Sequence, residues 1–283
     1  LNLKVLNVFN LQKTFLDLLL SLPYNLITLL NKYHEPKSVN IGSGPRPWFG
    51  WHCFDQVVTQ GVHYCEFSEK CSLNLESETM ELVYSSHCFE HLEDNTISNL
   101  LSEAYRILEK NKTLLIKLPN YDWFMQNYKN KNQTFMNGMG IDKVVWSWEG
   151  KVPDDILNRL SFMICGYWNY SYGDPYKKEV NRVPEAYCGP AKFDQTELKE
   201  LFESSSVRKI VKTLRAKASE DNQLKAFNHQ NAWSLQEFSQ VLNEHNFEVL
   251  NTDRDSIIKQ FENIVPDIRT HDYYSMYLTA QRI

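Results

Sequence analysis

The sequence predicts an α/β protein built on a seven-stranded sheet, with a helical insertion after the fifth strand. Three observations predict it. From Lys37 onward, short apolar runs alternate with amphipathic stretches, the pattern of strands interleaved with helices. The first apolar run ends in Gly42, Ser43 and Gly44, and the second ends in an acid, Asp55. The regular pattern stops after Asn120 and resumes near residue 232.

The elements follow in order. Ser38–Ile41 is a first strand, Trp51–Asp55 a second, 63–67 a third and 80–85 a fourth. Residues 94–110 form a helix capped by Asp94, because Ile97, Leu100, Leu101, Ala104, Ile107 and Leu108 share one face. Residues 113–118 form a fifth strand that Pro119 ends. A helix over 234–246, capped by Ser234, buries Leu235, Phe238, Val241 and Leu242. Phe247–Asn251 is a sixth strand, 255–262 a short helix and 273–281 a seventh strand. In that last strand Tyr274, Met276, Leu278 and Ala280 alternate against Tyr273, Ser275, Tyr277 and Thr279.

Ahead of this pattern, residues 1–36 form a helical segment, with Leu11, Phe15, Leu18, Leu19 and Leu22 at helical spacing. Lys13, Asp17, Pro23 and Asn25 interrupt it, so it does not read as a membrane span, which needs about 20 mostly apolar residues. Its apolar stripe packs on the domain or on a second copy of the chain. A homodimer through this helix is one of these two arrangements.

Hydrophobic residues make up 42% of the 283 and charged residues 23%, the balance of a globular chain. The net charge of -5, with no Lys/Arg block standing out, argues against a phosphate-tracking nucleic-acid surface. The six cysteines form no CxxC pair and no zinc spacing, so the cysteines are expected to be reduced and the setting cytoplasmic.

The chemistry concentrates at two strand ends. Gly42 and Gly44 sit where a strand turns sharply while its backbone approaches a ligand; a Cβ at either would collide with a bound nucleoside or amino-acid moiety. A carboxylate at Asp55 can accept from both ribose hydroxyls. There is no GxxxxGK[ST] and no third glycine for a pyrophosphate, so the site favours a nucleoside without a diphosphate. After the fourth strand come Ser86, His87, Cys88, Phe89, Glu90 and His91. His87 and His91 are four apart, but the run HCFEH is not HExxH, and no metal is assigned.

Asn40 to Pro45, Gly50 and Trp51 with Asp55, Tyr84 to His87, Glu90 to Leu92, and Ala104 to Leu108 followed by 114–119 resemble class I S-adenosylmethionine-dependent methyltransferases, nearest to the small-molecule "methyltransferase type 11" group. The resemblance covers roughly residues 37–122 and returns at 232–283. It implies a Rossmann-like, mostly parallel sheet whose last strand is antiparallel. The cofactor domain would comprise 37–122 and 232–283, and 123–231 would be a lid.

The resemblance also implies site residues. Asn40, Ile41, Gly42, Ser43 and Gly44 would line the methionine and ribose parts of S-adenosylmethionine, with Asp55 on the ribose hydroxyls. Glu66, Phe67 and Ser68 would lie at the adenine edge, and Ser86 and His87 at the sulfonium. Tyr121 would begin the acceptor pocket, and His87 and His229 are the candidate bases. Asn40 stands where the family often has an acid, and the link from Gly44 to Trp51 is too short for a crossover helix.

Methyl transfer from a sulfonium needs positioning, exclusion of water and at most one proton removed. The acceptor expected is a small molecule. Trp146, Trp148, Tyr167, Trp168, Tyr170 and Tyr172 in the insertion form either a cage for a cation or the insertion's own core. Two other functions are compatible with the same residues: an enzyme that cyclises or cleaves the cofactor's aminobutyl chain, and a binding subunit that has lost catalysis.

Overall fold

The computed structural model describes residues 23–31, 35–132, 194–218 and 229–283, together with Leu157, Leu160 and Ile164. The chain divides into two compact units, Leu1–Pro119 with Gln236–Ile283, and Asn120–Leu235.

The first unit is built on a seven-stranded sheet: β1 (Ser38–Ile41), β2 (Trp51–Asp55), β3 (His63–Tyr64), β4 (Met80–Ser86), β5 (Leu108–Pro119), β6 (Phe247–Asn251) and β7 (Ser275–Arg282). Its strand order is β3-β2-β1-β4-β5-β7-β6. The first five strands pair in parallel, and β7 runs antiparallel to both β5 and β6. Parallel strands carry near-continuous apolar runs because helices cover both faces. Leu82, Tyr84, Leu115 and Tyr277 pack on one face against Ile257, Ile258 and Phe261 of the helix Arg254–Phe261. The intervening Val83, Leu114, Ile116 and Leu278 are fully buried as well. The helix Asp94–Ile107 buries Ile97, Leu100, Leu101, Ala104 and Ile107, the face its spacing predicts.

Helices are numbered α1 (Tyr24–Asn31), α2 (Asp94–Ile107), α3 (Tyr121–Lys129), α4 (Gln195–Ser204), α5 (Val207–Ala218), α6 (Leu235–Glu244) and α7 (Arg254–Phe261). No helix among the described residues is long and apolar enough to cross a membrane. The apolar stripe from Leu11 to Leu22, and with it the proposed dimer contact, lies outside the described residues; α1 begins just beyond it.

β1 and β2 are parallel and adjacent without a crossover helix. Trp48, in the connection, fills the space a helix would take: its ring lies 5.2 Å from Trp51 and 5.9 Å from Tyr84. Asn31 at the end of α1 holds the connection, donating to the Trp48 carbonyl at 3.1 Å and accepting from the Gly50 amide at 2.9 Å.

Several expected boundaries are corrected. β5 starts at Leu108 rather than 113, because Leu108 already pairs with Met80 before a bulge, with Asn111 at φ 63°, and regular pairing resumes at Thr113. Helix α2 is capped at Glu93, and Asp94 is its first residue. The capping carboxylate of α7 is Asp253, which accepts from the Ser256 amide at 2.9 Å. β3 ends at Tyr64 because a disulfide-closed loop begins at Cys65. In β7 both faces are buried rather than one, because the strand lies between β5 and β6.

The expectation that the cysteines are reduced is also corrected. Cys65 and Cys71 form a disulfide, while Cys53 and Cys88 are buried free thiols.

Candidate functional site

In an open α/β sheet, ligands bind beyond the C-terminal strand ends at the point where the strand order reverses. Here that point lies between β1, whose chain continues to β2, and β4, whose chain continues to β5. The turn after β1 and the turn after β4 therefore meet at one crevice, and most residues singled out in the sequence lie on these turns.

The β1 turn is tightly built. Gly42 and Ser43 donate their amides to the Phe54 carbonyl at 2.9 and 3.2 Å. Gly44 donates to Asp55 Oδ2 at 2.7 Å, and Val57 donates to Asp55 Oδ1 at 3.0 Å. The Ser43 hydroxyl donates to the Gly44 carbonyl at 3.2 Å. Ile41 is fully buried, and its carbonyl accepts from the Ser85 hydroxyl at 2.9 Å.

The two glycines answer different needs. Gly42 has φ 76°, and a Cβ there would lie 2.4 Å from Cys88 Sγ. Its glycine is required by the chain's own packing, not by a ligand. Gly44 has φ 65°, and nothing lies within 4 Å of an added Cβ. The space in front of Gly44 is open, which is what close approach of a ligand to this backbone requires.

Asn40 is a second feature of this turn. Its side chain is buried in β1, yet Oδ1 has no hydrogen-bond partner. An unmade hydrogen bond on a buried amide oxygen costs about 1–3 kcal/mol, so this acceptor is held ready at the strand end for a donor. The residues fit the adenosyl and ammonium groups the resemblance implies. The Gly44 backbone leaves room, Asn40 offers an unpaired acceptor, and the Asp55 carboxylate has acceptor capacity beyond its two amide bonds.

The β4 turn carries Ser86 and His87. Ser86 pairs with Lys117 across the sheet and is half-buried. His87 has φ 48°, an uncommon conformation for a non-glycine residue, of the kind that clusters at functional sites. Its Nε2 lies 2.8 Å from Ser275 Oγ. Ser275 donates its own hydroxyl proton to the His271 carbonyl at 2.6 Å, so Nε2 of His87 is the donor in their contact. Nδ1 then faces Glu90 Oε1 at 3.2 Å, with Glu90 fully buried. With Nε2 already a donor, the Glu90 contact is an ion pair only when Nδ1 is protonated too, a form in which His87 cannot act as a base.

Glu66, Phe67 and Ser68 fall within the Cys65–Cys71 loop. Glu66 is exposed, and Phe67 and Ser68 are half-buried. The Cys65 amide donates to the Asp55 carbonyl at 2.9 Å, which sets this loop beside the Asp55 turn.

In the second unit, Tyr121 is the first residue of α3 and is fully buried. The structure brings it to His229: its hydroxyl lies 2.8 Å from Nδ1, which also lies 2.9 Å from the Ile164 carbonyl. Gln230 and Asn231 are buried. The aromatic residues of 146–148 and 167–172 lie outside the described residues.

The sequence reading missed a buried polar cluster beside His87. Lys117, on β5, is 1% exposed, and its Nζ donates to the carbonyls of Asp267 at 3.3 Å, Ile268 at 3.2 Å and Thr270. Burial pushes its pKa down to about 8, against the pull of Asp267 and Asp272. The Tyr84 hydroxyl donates to Asp267 Oδ1 at 2.8 Å, and the Tyr277 hydroxyl donates to the Ile268 carbonyl at 2.7 Å. Burial raises the pKa values of Asp267 and Tyr84. The cluster fastens 267–270 to the sheet, and with it the His271 and Ser275 that contact His87. The available signal was a lysine inside the apolar run Leu114 to Pro119.

This strand order, with an antiparallel β7 inserted between β5 and β6, is the Rossmann-like fold of class I S-adenosylmethionine-dependent methyltransferases. No family model matches the chain, and no curated protein matches it. Solved structures similar to it are methyltransferases. One, an S-adenosylmethionine-dependent methyltransferase from Mesorhizobium loti, is 13% identical over 91% of this chain and 96% of its own, with a TM-score of 0.37. Another, from Aquifex aeolicus, is 10% identical over 95% and 98%, with a TM-score of 0.36. The geranyl diphosphate C-methyltransferase of Streptomyces coelicolor is 9% identical over 92% and 79%, with a TM-score of 0.37. At these identities and TM-scores the overlays carry no argument about chemistry; the fold class stands on the strand order.

Proposed function

We propose that this protein transfers a methyl group from S-adenosylmethionine to a small-molecule acceptor. The observation that carries the reading is the β1 turn: an open approach at Gly44, whose amide is tied to the Asp55 carboxylate, next to the unpartnered Asn40 Oδ1.

S-adenosylmethionine supplies a methyl group on a sulfonium, which is already an activated leaving group. The chain's own residues bind and orient. Asp55 accepts from the ribose hydroxyls, and Asn40 Oδ1 accepts from the ammonium. The open Gly44 backbone admits the nucleoside, Gly42 lets the turn pack on Cys88, and Ser43, Ile41 and Ser86 complete the turn walls. Glu66, Phe67 and Ser68 border the adenine. His87 orders the β4 turn through Glu90 and Ser275. His87 and His229 are the candidates for removing a proton, where the acceptor is a hydroxyl, thiol or ammonium, and Tyr121, hydrogen-bonded to His229, begins the acceptor pocket. The net charge of -5 favours a compact acceptor over a nucleic acid, although α5 carries a local basic run of Arg208, Lys209, Lys212, Arg215 and Lys217.

The test is product analysis by mass spectrometry. The protein is incubated with S-adenosylmethionine, first alone and then with a panel of amine, hydroxyl and thiol acceptors. S-adenosylhomocysteine that accumulates only with an acceptor supports the reading. Methylthioadenosine formed without an acceptor replaces it with cyclisation or cleavage of the aminobutyl chain. Intact cofactor under every condition leaves a binding subunit.

A further inference from the structure

We infer that Cys65 and Cys71 form a reversible redox latch that sets the affinity of loop 66–70 for the adenosyl end of the cofactor, an inference that rests on the function proposed above. The disulfide closes a ring of only six residues' separation, and that ring carries Glu66, Phe67 and Ser68. Its first cysteine is bonded through the backbone to Asp55, so the ring sits beside the turn assigned to the ribose.

The rest of the connection is held without the disulfide. Three side chains along α2 grip it. Asn99 Nδ2 donates to the carbonyls of Cys71 at 2.6 Å and Ser68 at 3.3 Å. Glu103 Oε2 accepts from the Leu73 amide at 2.8 Å and the Ser72 hydroxyl at 3.2 Å. Arg106 donates to the carbonyls of Leu73 and Leu75, each at 2.8 Å, and pairs with Glu103. Burial opposes ionisation of Glu103, but its bonds to Arg106, Leu73 and Ser72 outweigh this and lower its pKa.

Within the ring itself hydrogen bonds are few. The Lys70 amide donates to Ser68 Oγ at 3.3 Å, and the Cys71 amide donates to the Ser68 carbonyl at 3.2 Å. The disulfide is therefore the covalent fastener of residues 66–70, beside the Asn99 grip on Ser68 and Cys71, and a minor one of the domain. A short ring removes less entropy from the unfolded chain than a long one, so much of its effect is local. The two free thiols of the described residues do not compete for exchange: burial raises the pKa values of Cys53, to about 12, and of Cys88, so neither supplies a thiolate.

The switching step is thiol–disulfide exchange with a dithiol. A thiolate of the dithiol attacks one sulfur of the pair, the Cys65–Cys71 bond breaks, and a mixed disulfide forms. The second thiol displaces it, leaving two cysteine thiols and an oxidised dithiol. Two electrons and two protons pass to the protein. A disulfide oxidant reverses the step.

The test uses the full chain, oxidised, reduced by dithiothreitol, and as the Cys65→Ser/Cys71→Ser double variant. Peptide mass spectrometry after alkylation establishes the state of the pair, and calorimetric titration with S-adenosylmethionine reads affinity. The oxidised protein is expected to bind about tenfold more tightly than the reduced protein, because ordering a few freed loop residues opposes binding by at least that much. The double variant is expected to match the reduced protein and to ignore dithiothreitol. Equal affinities with reduction verified overturn the latch and leave the proposed function standing, as does failure to find the bond after oxidation. Absence of binding in every form overturns the proposed function, and the latch with it.

Discussion

The amide of Gly44 and the carboxylate of Asp55 are 2.7 Å apart, so the turn after β1 and the end of β2 are one hydrogen-bonded structure. The ligand approach at Gly44 is thus held by the same acid that the proposed function assigns to the ribose. Gly44→Ala places a methyl in open space at φ 65°. We expect it to lower stability by only the left-handed strain, about 1–2 kcal/mol, while lowering affinity for S-adenosylmethionine at least tenfold. Urea unfolding and ligand titration of the same sample separate the two effects.

Gly42→Ala behaves in the opposite way. Its methyl meets Cys88 Sγ and Cβ at 2.4 and 2.5 Å, and overpacking adds about 1–3 kcal/mol to the backbone strain. The prediction is a large fall in unfolding free energy with no ligand present. Removing the obstruction with Cys88→Gly in the same chain should make the two costs markedly less than additive in a double-mutant cycle.

Asn40 offers a case in which function and stability part. Asn40→Val removes a buried acceptor that has no partner and puts a β-branched residue in a central strand. We expect stability to rise by about 1 kcal/mol and cofactor affinity to fall. A loss of stability instead would mean that the amide is structural.

His271 gives the pH dependence. Burial, then the neighbouring His87 and Lys117, push its pKa down to about 4 from 6.5. Between those values the unfolded chain binds a proton that the folded chain does not. The contribution is therefore fully present above pH 6.5 and is lost as pH falls from 6.5 to 4. His271 sits at φ 58°, a conformation Asn tolerates. His271→Asn should flatten the fall in stability over that window, measured as the difference between the two proteins' unfolding midpoints at each pH.

The sheet was legible because its strands obey simple rules. Ser38–Ile41, Trp51–Asp55 and Phe247–Asn251 fall where apolar runs meet turn residues. The start of β5 was hidden because Leu108, Glu109 and Lys110 read as the last turn of the preceding helix, whereas Leu108 already pairs with Met80 ahead of a bulge. Burial on both faces of β7 was hidden because Ser275 and Tyr277 look solvent-facing, whereas their hydroxyls find carbonyl partners inside.

At the site, glycine spacing and the acid after β2 were readable, but the reasons differ at the two glycines, and only packing against Cys88 tells them apart. The Cys65–Cys71 bond matched no spacing rule, since its closure depends on how α2 folds the loop back. The Lys117 cluster depends on carbonyls from residues 267–270, some 150 positions away, which no local pattern encodes.

The central claim is that the ends of β1 and β2 bind S-adenosylmethionine. Calorimetric titration of the oxidised wild-type protein with S-adenosylmethionine, alongside Gly44→Ala, tests it most directly. The account predicts saturable binding at one site per chain and its loss in the variant. Absence of heat and of any thermal stabilisation in the wild-type protein, or equal binding by both proteins, would contradict it.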